Sequence, residues 1–270
     1  MMRIIDFVPD GVQDCRVTAW IHTEGESPEM ADRNWPAVII CPGGGYGFVS
    51  EREADPIASF YFAEGYNTFV LYYSVREQAR NLKPLCQLAA TMAHVRKNAH
   101  LWHVDPHKIA VQGGSAGGHL ACSLGTLTNT PEFRKVFGSD ADVRPDAMIL
   151  VYPVITADEY AHVSSIRNVS GSAEGTQAYA WFGLDHHVDA ETPPTFLYHT
   201  GEDMLVPVQN SLRFADALAD CGIPCELHIL HKGGHGMSAC THTVGCRNTY
   251  NARWLRWSIM WLNDLFGFEL

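Results

Sequence analysis

Runs of consecutive apolar residues alternate along this chain with stretches whose apolar positions recur every three or four residues. The segments "WPAVIIC" (apolar from Ala37 to Cys41), "YNTFVLYYSV", "KIAVQ", "DAMILVYPV", "PTFLYHTG" and "CELHILHKGG" are short and end in glycine, proline or polar clusters. Many are rich in β-branched and aromatic residues, a pattern that predicts strands buried on both faces. "EADPIASFYFAEG", "LKPLCQLAATMAHVRKNAHLW", "AGGHLACSLGTLT", "PVQNSLRFADALADCG" and "YNARWLRWSIMWLNDLFG" carry the spacing of helices. The first of these ends at Gly65, a residue suited to the position just past a helix. Strands and helices in alternation predict an α/β fold, a mostly parallel central sheet with helices on both faces. Residues 155–194 break the rhythm and predict a short lid-like insertion at a strand end. No repeat or low-complexity tract divides the chain, and 270 residues with 46% hydrophobic content suit a single domain over 1–270.

One of these strands runs into "GGSAGG", which places Ser115 in a G-x-S-x-G frame from Gly113 to Gly117. A plain loop accounts for the glycines. So does a sharp strand-to-helix turn that presents a hydroxyl, and the predicted strand before it and helix after it favour the turn. The helix N-terminus behind such a serine favours developing negative charge. Serine is a weak nucleophile and needs a base, which in turn needs a carboxylate to orient it. In this frame the expected chain order is serine, acid, histidine. Asp203 lies just beyond the strand "PTFLYHT", and His235 lies in the glycine-rich loop after "CELHILH". Taken singly, these also read as a turn residue and a solvated loop histidine. Together they follow strand ends in the required order, where the loops of a parallel sheet converge. The turn "CPGGGYG" offers backbone N–H donors at Gly44 and Gly45, which with Ala116 would make an oxyanion hole. A phosphate-binding turn is the rival reading, but the segment lacks both a GK[ST] ending and the G-x-G-x-x-G frame.

Composition narrows the setting. A net charge of −11 argues against nucleic acid or an anionic membrane as the main partner. The N-terminal "MMRIIDFVPDGVQDCRV" meets charge and proline too early for a signal peptide, and no apolar run approaches a membrane span. The eight cysteines contain no C-x-x-C pair and read as free thiols in a reducing cytoplasm. "DHHVD", Asp185 to Asp189, has metal-ligand residue types without a helical i, i+4 frame and reads as a structural loop, so neither a metal nor a cofactor is expected. His94, His100, His103 and His107 read as surface residues, His119 as a packing or capping residue, and Trp254, Trp257 and Trp261 as a core stripe. Ser50 to Glu53 resembles a capping box. Tyr46, in the glycine turn, and Trp181, beside Phe182 in the insertion, are the candidate substrate contacts.

From "WPAVIICPGGGY" to its C-terminus the chain resembles the α/β-hydrolases. "PGGGYGFVSEREADPIA", "DPHKIAVQGGSAGGHLA", "TPPTFLYHTGEDMLVPVQNS" and "GGHG" resemble the small acetylxylan-esterase-like, lipase/esterase-like and feruloyl-esterase-like branch, near the hormone-sensitive-lipase group. The resemblance implies Ser115 as nucleophile, His235 as base and Asp203 as orienting acid, with the Gly44, Gly45 and Ala116 amides as oxyanion hole. It also favours Asp203 over the adjacent Glu202, because only Asp203 gives the D-x-x-V-P frame with Val206 and Pro207. The chain carries Pro42 where the hormone-sensitive-lipase group has histidine, which favours sugar esters over bulky lipid esters.

The expected activity is therefore that of a serine carboxylesterase, cleaving short acyl groups such as acetyl from sugars or xylo-oligosaccharides through an acyl-enzyme. An amide-cleaving hydrolase, peptidase or aryl-formamidase, is the alternative, and a non-catalytic binding member of the fold is the rival from another class. The expected partner is a small-molecule or oligosaccharide ester, and a homodimer is compatible with the sequence.

Overall fold

The computed structural model describes residues 2–23, 33–138 and 142–268. Eight strands form one sheet: β1 (Met2–Phe7), β2 (Arg16–His22), β3 (Trp35–Cys41), β4 (Asn67–Tyr72), β5 (Val104–Gly114), β6 (Ala147–Val151), β7 (Thr195–Thr200) and β8 (Cys225–Leu230). Their spatial order is β1-β2-β4-β3-β5-β6-β7-β8. From β4 to β8 the neighbours are parallel, whereas β1 pairs antiparallel with β2, and β2 antiparallel with β4. Eight α-helices accompany them among the described residues: α1 (Asp55–Ala63), α2 (Lys83–Lys97), α3 (Ala116–Thr126), α4 (Pro131–Phe137), α5 (Val163–Ser170), α6 (Gln177–Ala180), α7 (Gln209–Asp220) and α8 (Arg253–Phe266).

The two-residue period of the strands divides the core between the sheet's faces. Ala37, Ile39 and Cys41 of β3, Val111 of β5 and Leu150 of β6 pack with α2, α3 and α7. Their neighbours Val38, Ile40, Ala110, Ile149 and Val151 pack on the opposite face with α1 and α8. Every residue of β3, β6 and β7 is buried, and β3 and β6 accordingly read as unbroken apolar runs. The tryptophans of α8 divide: Trp254 is fully buried, while Trp257 and Trp261 pack at its margin.

The structure adds elements that periodicity does not show. The hairpin of β1 and β2 extends the sheet antiparallel, and β1 is largely exposed at the edge, so its sequence mixes polar and apolar residues. Residues 155–194 hold α5, α6 and a 3₁₀ turn at Leu184–His187. His94 is not a surface histidine: its ring stacks on Phe7 at 4.7 Å and neighbours Trp102. No helix among the described residues is long and apolar enough to cross a membrane.

Candidate active site

The chain passes from β5 into α3 through Ser115, whose φ of 55° and ψ of −123° are strained for a residue with a side chain. The flanking glycines make this turn possible. A Cβ on Gly117 would lie 1.9 Å from the Cys41 carbonyl oxygen, and one on Gly113 would lie 2.1 Å from that of Gly117. Both obstacles are buried backbone atoms, one at the end of β3 and one in the first turn of α3, so neither can yield cheaply. Gly117→Ala is therefore expected to destabilise the protein by about 2–4 kcal/mol, measured by urea unfolding. An unchanged unfolding midpoint would show that the β5–α3 turn is less tight than described.

Ser115 occupies the N-cap position of α3 without capping it through its side chain. Its Oγ instead meets His235 Nε2 at 2.8 Å, while His235 Nδ1 meets Asp203 Oδ2 at 2.6 Å. A carboxylate can only accept, so Nδ1 carries the imidazole proton and Nε2 is left to accept from the serine hydroxyl. Asp203 is 5% exposed. Burial alone would raise its pKa, but hydrogen bonds from His199, His235 and the Val206 N–H outweigh it and hold the carboxyl well below the usual range. Oδ1 accepts the Leu205 and Val206 amides at 3.0 and 2.9 Å, and His199 Nε2 stands 3.4 Å from Oδ2. The adjacent Glu202 faces elsewhere and accepts the Gly233 amide at 3.1 Å.

Ser115 and His235 open into a cavity of about 440 Å³ that Gly44 and Gly45 also line. The glycines carry φ values of 122° and 64°. Their N–H groups have no hydrogen-bond partner among the described residues, whereas the preceding Gly43 N–H is taken by Glu53. Ala116 is fully buried as the first residue of α3, a position whose N–H has no intrahelical acceptor. The opposite wall comes from the 155–194 segment as His162, Ser164 and Asn168, and Asn168 Nδ2 donates to the Gly45 carbonyl at 2.8 Å. Burial, followed by the neighbouring His235, holds His162 below the usual imidazole range. Phe48, Arg52 and Leu205 lie at the cavity as well.

Two expected substrate contacts lie elsewhere. Tyr46 is 1% exposed and its side chain points into the core, where its hydroxyl meets His119 Nδ1 at 2.9 Å. Trp181 lines a separate depression with Gln177, Leu82 and Phe182, not the cavity at Ser115. The Ser50–Glu53 capping box does not form: Ser50 makes no side-chain cap bond, and Glu53 turns inward to line the cavity. The only sequence signal at Glu53 was the capping box, and the α5 wall carried none, because no periodicity marks the turns that aim them. Within the Asp185–Asp189 segment, His187 Nε2 bonds the Trp181 carbonyl at 2.8 Å. Among the described residues no group of three or more His, Cys, Asp or Glu is placed to hold a metal ion.

His119 links the glycine turn to the inserted segment. Its Nε2 donates to the Phe182 carbonyl at 3.0 Å, which leaves Nδ1 to accept from Tyr46. Burial lowers its pKa from 6.5 to about 4. The unfolded chain thus binds a proton that the folded chain refuses, and stability falls as pH drops from 6.5 towards 4. The contribution reaches about 3 kcal/mol at pH 4. His119→Gln, which does not titrate, should lose correspondingly less stability across that window in urea unfolding; an identical pH slope would contradict the burial of a neutral ring.

The BD-FAE family model matches residues 26–218. Endo-1,4-beta-xylanase B of Butyrivibrio fibrisolvens is 34% identical over 209 residues, which is 74% of this chain and 32% of that protein. The acetylxylan esterase of Xylanibacter ruminicola is 30% identical over 206 residues, 74% of this chain and 40% of that protein. The chain thus spans half or less of the length of the curated relatives it matches. Among solved structures, an acetyl ester-xyloside bifunctional hydrolase from Caldicellulosiruptor lactoaceticus superposes with a TM-score of 0.81 at 32% identity, covering 94% of this chain and 89% of that one. With its parallel sheet, its serine on the β5–α3 turn and a family model that matches well over half of its length, the chain belongs to the BD-FAE family and has the α/β-hydrolase fold.

Proposed function

We propose that this protein is a serine carboxylesterase that removes short acyl groups, acetyl foremost, from sugars or xylo-oligosaccharides. The observation that carries the reading is the hydrogen-bonded chain from Ser115 through His235 to Asp203, opening beside the unpartnered Gly44 and Gly45 amides. In this reading His235 Nε2 takes the hydroxyl proton as Ser115 Oγ attacks the ester carbonyl, and Asp203 stabilises the imidazolium. The tetrahedral oxyanion sits on the amides of Gly44, Gly45 and Ala116, each donor contributing about 10²–10³ in rate. Collapse expels the alcohol, which takes the proton from His235 and leaves Ser115 acylated. Water, deprotonated by the same histidine, then releases the acid and restores the hydroxyl.

The substrate class rests on the cavity walls and on the relatives. Ser164, Asn168, His162 and Arg52 supply hydrogen-bonding groups suited to a polyhydroxylated alcohol. The names of the xylan-active relatives support the same class. Because His162, Ser164 and Asn168 wall the cavity, residues 155–194 are proposed as its lid, within one domain over 1–270. The eight free cysteines support a reducing, cytoplasmic setting.

A panel of acetylated xylo-oligosaccharides, simple aryl esters, N-formylkynurenine and peptide amides tests the proposal. Acetate release from the oligosaccharides should show the highest kcat/KM. Preference for the formamide or peptide substrates would move the protein to the amide-cleaving reading, and absence of any turnover with Ser115 unlabelled by a fluorophosphonate would make it a binding protein.

A further inference from the structure

We infer that Glu53 is a positioning residue which fixes the oxyanion donors against the serine–histidine pair by clamping the glycine turn to the histidine loop. The inference rests on the esterase reading above. Glu53 closes the 3₁₀ turn Glu51–Glu53 that follows the glycine turn, and it is 7% exposed. Its two carboxyl oxygens bind opposite sides of the site. Oε2 accepts the Gly43 amide at 2.9 Å, and Oε1 accepts the Tyr152 hydroxyl at 2.6 Å.

The Tyr152 oxygen in turn accepts the amide of Ser238, three residues beyond His235, at 2.9 Å. The Tyr152 ring stands edge-on to that of His235 with centroids 5.2 Å apart. Burial, and then the Glu53 carboxylate, push the Tyr152 phenol well above its usual pKa, so it stays protonated and donates. Two further bonds join the same 3₁₀ turn to the same loop: Ser238 Oγ donates to the Arg52 carbonyl, and Arg52 Nε donates to that of Val244 at 2.8 Å.

On the other side, Gly43 is held at both ends. Its N–H goes to Glu53 and its carbonyl accepts the Ser50 amide at 3.0 Å. That carbonyl and the Gly44 N–H belong to one planar peptide and point in opposite directions, so fixing the first aims the second. The carboxylate is wedged tightly, since a Cβ on Gly43 would come within 2.5 Å of Oε2 and one on Gly114 within 2.7 Å of Oε1. Burying a carboxylate is costly unless charge-assisted hydrogen bonds compensate it. Here those bonds run from the loop bearing one half of the chemistry to the loop bearing the other. A misplacement of about 1 Å between such halves can cost about 10² in rate.

The test compares Glu53→Ala, Glu53→Gln and Tyr152→Phe with the wild type in ester hydrolysis, in binding of an alkyl boronic acid that forms a tetrahedral adduct on Ser115, and in thermal melting. Glu53→Ala should lower kcat by about 10²-fold with KM within about threefold, and boronate affinity should fall in step with kcat/KM. Tyr152→Phe, which cuts one arm, should lose about tenfold in both, and Glu53→Gln, which keeps the shape but turns one acceptor into an NH₂ facing a donor, should lose about as much. Wild-type kcat and boronate affinity in both Glu53→Gln and Tyr152→Phe would overturn the inference, whatever their melting temperatures and even if Glu53→Ala does not fold. A wild type that neither hydrolyses esters nor binds boronate would instead bring down the esterase reading, and this inference with it.

Discussion

Ser115→Ala is expected to lower kcat for ester hydrolysis by up to about 10⁶ while leaving the fold intact. The hydroxyl bonds His235 and does not cap α3, so its loss removes chemistry without removing structure. The backbone bonds of the turn survive the change: Ser115 N–H to the Val151 carbonyl at 3.0 Å, and the Ser115 carbonyl to the amides of His119 and Val154, both at 3.1 Å. Alanine at a φ of 55° is no more strained than serine, so the melting temperature should stay close to that of the wild type. Residual activity within about tenfold of wild type, on a folded variant, would remove Ser115 from the mechanism.

Asp203→Asn should lower kcat by up to about 10⁴. The asparagine Oδ1 can still accept the Leu205 and Val206 amides, so the loop keeps its shape. Its NH₂ then faces His235 Nδ1, where the carboxylate had accepted a hydrogen bond, and two donors cannot bond. The imidazole shifts to the other tautomer, placing a hydrogen on Nε2 opposite the Ser115 hydroxyl, and no base remains. Glu202→Gln provides the comparison, because Glu202 accepts the Gly233 amide and lies outside the hydrogen-bonded chain. Steady-state kinetics of the two variants decides between the carboxylates: a crippled Glu202→Gln beside an active Asp203→Asn would mean that the acid is Glu202.

The central strands, β3 and β6 above all, were legible because helices cover both faces of the sheet, which makes them continuous apolar runs. The β1–β2 hairpin was not, because β1 is an exposed edge strand and β2 buries only alternate residues, so both carry polar residues whose meaning depends on their partner. The same contrast holds in the site. Ser115, Asp203 and His235 each follow a strand, so the topology of a parallel sheet gathers them at one edge. Glu53, His162, Ser164 and Asn168 reach the cavity through irregular turns and the inserted helix α5, and no local pattern records where such turns point. Tyr46 shows the reverse error. It lies in the right loop, but with its φ of 55° its side chain lies in the core, where the hydroxyl bonds His119 instead of lining the cavity.

In the proposed mechanism Ser115 carries the acyl group between the two halves of the reaction. Quenching the enzyme in acid during turnover of an activated acetyl ester, then digesting it and sequencing the peptides by mass spectrometry, tests this most directly. One acetyl group per chain is expected, on Ser115 and absent from Ser115→Ala. Turnover that proceeds with Ser115 unmodified, or acetyl found on another residue that the Ser115→Ala variant still carries, would contradict it.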